Sequence, residues 1–101
     1  MQTPKHSRSS PIAVLGAGDL VSHLRRIDSE ESSDYRFNVF RQSPSGRVSQ
    51  SLRIGHLSDL LNLCHVLAFA ILDDGWASEQ RRDELQVLIE KLESIRDLEV
   101  T

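Results

Sequence analysis

Apolar positions change period twice along this chain, and each period predicts a different element. Leu20, Val21, Leu24 and Ile27 follow helical spacing behind Asp19, which suits a helix start, so a short amphipathic helix is predicted over 19–27. From Tyr35 the period falls to two. Apolar residues recur at Tyr35, Phe37 and Val39, and again at Val48, Leu52 and Ile54, with Ser43-Pro44-Ser45-Gly46 between the runs. Two alternating runs joined by a Pro/Gly loop predict a β-hairpin. Setting Gln42 opposite Arg47 places Phe37 opposite Leu52 and Tyr35 opposite Ile54, which gathers the apolar side chains on one face. The other face then carries Arg36, Asn38, Phe40, Gln42, Arg47, Ser49, Ser51 and Arg53.

After Gly55 the helical period returns. A helix from about His56 to Leu72 collects Leu57, Leu60, Cys64, Leu67, Ala68 and Ile71 on one face. Asp73-Asp74-Gly75 ends it, with Gly75 suited to the left-handed position beyond a helix C-terminus. Ser78 suits the N-cap of a second helix running to about Leu98, with Leu85, Leu88, Ile89, Leu92 and Ile95 as its core stripe. So short a link makes the two helices an antiparallel pair. The expected fold is α+β: a flexible N-terminal arm, one antiparallel β-hairpin and an antiparallel pair of long helices. The arm spans 1–34, including the 19–27 helix and an acidic linker at 28–34, and a compact ββαα domain spans 35–101.

Composition narrows the function classes. With 101 residues the chain is one domain, 39% hydrophobic and 27% charged. A net charge of −3 opposes wholesale attraction to nucleic acid or to an anionic membrane. Cys64 is the single cysteine, so no intrachain disulfide and no cysteine-based metal site can form, and a reducing cytoplasm is the default compartment. The first ten residues lead into no apolar core of signal-peptide length. The most apolar segment, Leu60 to Leu72, falls short of the roughly 20 residues of a membrane span and reads as a buried helix, so no membrane association is expected.

Candidate chemistry is sparse. Gly16-Ala17-Gly18 follows a short apolar run, as in a dinucleotide-binding turn, but Val21 stands where the third glycine belongs and no parallel-sheet pattern follows. His6, His23, His56 and His65 lie in separate segments without metal-ligand spacing. Cys64 and His65 point about 100° apart on a helix and cannot form a catalytic pair. No cofactor is expected, and the reading is non-enzymatic.

Two features stand out. Val66 and Phe69 lie opposite the core stripe of the first helix, leaving it apolar nearly all round and in need of cover from the 12–27 segment or a second copy. With Trp76 in the interhelical link, they form the candidate protein interface of a self-associating interaction module, a homodimer or a complex with another protein. The charge is also uneven. From Tyr35 to Gly55 there are four arginines and no acid, whereas from Leu57 onward ten acids face four basic residues. Arg36, Phe40, Arg47 and Arg53 therefore form the alternative candidate, a nucleic-acid-binding face on the hairpin.

Overall fold

The structure is a computed structural model that describes residues 8–28 and 33–100, with side chains over 9–28 and 34–95. Five strands, β1 (Arg8–Ala17), β2 (Leu20–Asp28), β3 (Ser33–Phe37), β4 (Phe40–Gln42) and β5 (Val48–Ser49), precede a single 3₁₀ turn at Ile54–His56. Two helices follow, α1 (Leu57–Asp74) and α2 (Glu79–Val100). All strand pairings are antiparallel, so the fold is α+β. β2 is the centre of the sheet. One of its edges pairs with β1, the other with β4 near its start and β3 near its end, and β5 joins the outside of β4.

α1 lies across β1 and β2, and α2 packs chiefly on α1. The thinnest dimension of the molecule is 18 Å, room for one sheet and one helix layer about 10 Å apart. Leu20 and Leu24 of β2 meet Leu63, Leu67, Ala68 and Ile71 of α1 and Leu85 and Ile89 of α2 in one buried cluster. Side chains of β2 alternate, so Leu20, Ser22 and Leu24 face the helices while Val21, His23 and Arg25 face away.

The segment expected to be a helix at 19–27 is instead β2, and most of the expected flexible arm is the hairpin β1–β2. Leu20 and Leu24 fit both periods, because residues four apart share a face of a helix and of a strand. The tie is broken by the turn. Gly18 has φ +58 and Asp19 a negative φ, the signs of a two-residue type II′ hairpin turn, which closes between Ala17 and Leu20. The division between an arm and a 35–101 domain does not hold for residues 8–28, since they supply the sheet's central strand. Residues 1–7 of the arm and 29–32 of the acidic linker lie outside the described residues.

The later hairpin survives in reduced form. β4 and β5 pair Arg41 with Ser49 and Gln42 with Val48, one residue away from the expected register. Ser43 and Arg47 close the loop through a 2.9 Å backbone bond, with Gly46 at φ +88 inside it. Phe37 sits opposite Leu24 rather than Leu52 and is 54% exposed, and Ile54, expected inside, is 86% exposed. A one-residue slip reverses the faces, and Val48 accordingly stands exposed.

The helix boundaries agree with the pattern. The Ser78 hydroxyl accepts from the Arg81 N–H at 3.2 Å, and Gly75 caps α1 at φ 75. The stripes are narrower than expected, with Leu57, Leu88 and Ile95 exposed and Leu63 taking the fully buried place on α1.

Leu67→Ala should destabilise by about 2–5 kcal/mol, as deletion of a well-buried leucine does. Ser22 is fully buried and its Oγ has no hydrogen-bond partner. Ser22→Ala should therefore be neutral or stabilising, by up to about 1 kcal/mol, because it removes an unsatisfied hydroxyl. Denaturant melts of both variants check the inner face of β2; a large loss in Ser22→Ala would contradict it.

Candidate functional site

Two surfaces carry the residues singled out by sequence. On the helix layer, Phe69 is 47% exposed and meets the His65 ring edge-to-face at 4.9 Å. His65 Nε2 lies 3.2 Å from the Glu93 carboxylate, which ties α1 to α2 beside Phe69. Val66 is half-buried. Phe69, Ala70, Leu72 and Asp73 border an open groove of about 490 Å³. The 12–27 segment covers the Leu63 and Leu67 side of α1 and leaves Phe69 in solvent. Sequence reasoning also missed that Leu57 and Leu61 on α1, and Val87, Leu88 and Ile95 on α2, are exposed, at separate places around the two helices.

Trp76 belongs to a different group. Its ring meets Tyr35 edge-to-face at 5.6 Å, and the Arg26 guanidinium lies 4.9 Å from its centre. Arg26 Nη1 also donates to Asp74 Oδ2 at 2.9 Å, and the Tyr35 hydroxyl donates to the same oxygen at 2.7 Å. Asp73 and Asp74 stand at the negative end of the α1 dipole, where acids are unfavourable, and Arg26 from β2 supplies the missing positive charge. Trp76 thus fastens the end of α1 to β2 and β3. Burial and the Asp74 hydrogen bond and charge push the Tyr35 hydroxyl up to about 12. Burial alone raises the Cys64 thiol, which leaves it a weak nucleophile.

Arg36 and Phe40 both lie on the outer face of the sheet, opposite Arg25 and Val21, which are four residues apart on β2. Phe40 meets the His23 ring edge-to-face at 5.2 Å. Arg25 and His23 were missed because their segment was read as a helix. The other two arginines part from this face. Arg47 closes the loop before β5. Arg53 lines a cavity of about 530 Å³ at the start of α1, with Arg41, His56, Asp19 and Asp59. There the Arg53 N–H donates to His56 Nδ1 at 3.0 Å, and the Asp59 carboxylate packs where a Cβ on Gly18 would stand. The β-turn that resembled a phosphate-binding loop is therefore occupied by a carboxylate of α1.

Among the described residues, no three His, Cys, Asp or Glu side chains converge in a group that could hold a metal. The segment Ile54–Asp74 is long and apolar enough to cross a membrane by length and composition, with a mean hydropathy of 1.5, but its Leu63, Leu67, Ala68 and Ile71 lie buried in the core. Comparison with protein-family models, curated proteins and solved structures finds no match.

Tyr35 is the single tyrosine, so tyrosinate absorbance reports it alone. Its midpoint should lie near 12 in the folded chain, and Asp74→Asn should move it back toward 10. The folded value lies above the unfolded one, so this group's contribution to stability is complete below pH 10 and is lost as pH rises toward 12. A midpoint near 10 in the folded wild-type chain would contradict the Tyr35–Asp74 bond.

Proposed function

We propose that the protein is a small non-enzymatic interaction module that self-associates through its helix layer. The observation that carries this reading is the exposure of Phe69 on α1 beside an open groove, with Leu88 and Ile95 as a second exposed apolar row on α2. α2 is anchored through Leu85, Ile89 and Leu92, one stripe of a 22-residue helix, while Val87, Leu88 and Ile95 are exposed. A second copy offers the same rows, and two helix pairs meeting about a two-fold axis form a four-helix layer in which each patch covers its equivalent. Another protein with an apolar helical face is the remaining occupant. α1 serves here as a core helix and not as a membrane anchor, and a reducing, cytoplasmic setting suits the free Cys64.

The four basic and ten acidic residues from Leu57 onward give each helix layer a charge of 4 − 10 = −6. Association driven by apolar burial against that repulsion strengthens as salt screens it. Sedimentation should therefore show a monomer–dimer equilibrium that moves toward dimer with rising salt. Phe69→Glu, or Leu88→Glu with Ile95→Glu, should give a monomer with unchanged helical circular dichroism. A wild-type chain that stays monomeric at every concentration and salt would overturn self-association.

A further inference from the structure

The side of the sheet turned away from the helices carries a second arrangement, independent of how the helix layer associates. Arg25 and Arg36 are direct cross-strand partners on β2 and β3. Like charges in that position repel and weaken the pairing unless an anion lies between them. Arg25 Nη1 donates to Ser9 Oγ at 2.8 Å, a neutral acceptor. Among the described residues the acid nearest in register to Arg36 is Asp34, opposite Ile27. Its carboxylate is engaged elsewhere, accepting from the Tyr35 N–H at 2.8 Å and pairing with Arg81 of α2 at 3.7 Å.

Beside the arginines lies an aromatic pair, Phe40 of β4 and His23 of β2, joined edge-to-face. The Asn38 side-chain oxygen accepts from the His23 N–H at 2.9 Å, which fixes the backbone where β3 leaves β2 and β4 arrives. Val14 and Val21 continue the face with small apolar surface. Among the described residues no carboxylate pairs with either guanidinium, and both stand beside an aromatic pair on the outer face of the sheet.

We propose that this outer face binds single-stranded nucleic acid, with Arg25 and Arg36 on successive phosphates and Phe40, braced by His23, against a base. Charge complementarity selects a polyanion, and the aromatic pair selects one whose bases are unpaired. A base can stack on a side chain only when it is free of a duplex. A broad sheet surface also has no projecting helix to enter a groove. The ten acids after Leu57 do not oppose this locally, because they lie on the helices, across the sheet from these arginines.

The test is fluorescence anisotropy of a labelled oligothymidylate of about 20 nucleotides with the full chain, titrated between about 50 and 200 mM salt. Two phosphate contacts on a single strand give a log–log salt slope of about −1.4 per chain. Arg25→Ala with Arg36→Ala should flatten that slope, whereas Arg82→Ala on α2 should leave it unchanged. Phe40→Leu keeps the apolar volume and removes the π face, so it should weaken binding about fivefold or more at the same slope. Thermal melts confirm that each variant is folded. The proposal is overturned by no binding at about 50 mM salt, by a folded double-arginine variant that binds like the parent, or by tighter binding to duplex of equal length or to phosphatidylserine vesicles.

Discussion

The burial of Leu20 and Leu24 beneath α1 is the contact on which the rest of the molecule depends. β2 is hydrogen-bonded along both edges, to β1 on one side and to β3 and β4 on the other. Its inner side chains are also the ones that α1 covers. Without β2, β1 has no partner, β3 and β4 lose their common edge, and α1 loses the surface that holds Leu63 and Leu67. α2 depends on the same contact at one remove, because it packs chiefly on α1. A core this small has little to spare, since short chains bury a lower share of their surface than long ones.

The two ends of α1 are tied to the sheet by polar contacts of different kinds. At its start, Asp59 packs on Gly18 and His56 lies 4.0 Å from Asp19, so the β1–β2 turn meets the first helical turn. At its end, Arg26, Asp74, Tyr35 and Trp76 form a closed group in which one arginine serves both a carboxylate and a ring. Between them these contacts fix the direction of the helix across β1 and β2, which apolar packing alone leaves free to slide. They also explain why Trp76, the largest side chain in the link, is a fastening rather than a free anchor.

The helices were legible in the sequence because period, cap and stop agree there: Ser78 before α2 and Gly75 after α1 mark boundaries that the apolar stripes also demand. The first hairpin was not legible, although Gly18-Asp19 is a recognised two-residue turn pair. Ser22 hides it, being a polar residue at an inward position between Leu20 and Leu24 that breaks the expected alternation. β3 and β4 were read as one strand because Tyr35, Phe37 and Val39 alternate. The chain in fact leaves the ladder at Asn38 and Val39, and periodicity carries no record of which edge a strand joins. The candidate surfaces followed suit. Arg36 and Phe40 were visible on one face, whereas Arg25 and His23 emerge only when β2 is laid beside them.

What the fold does with charge follows from this topology. The acids of the chain's second half are carried by α1 and α2, on one side of the sheet, and Arg25 and Arg36 stand on the other. A strand shows alternate side chains to opposite faces, so β2 can place Leu24 against the helices and Arg25 in solvent at adjacent positions. One sheet thus separates two surfaces that would interfere if they were neighbours: an apolar helix layer within an acidic field, and an arginine face whose nearest described acid, Asp34, is engaged with Arg81. Helix layers meeting about a two-fold axis would turn both arginine faces outward, on opposite sides of the assembly. Self-association of that kind would leave the arginine face open, because β2 turns the two surfaces to opposite sides of the sheet.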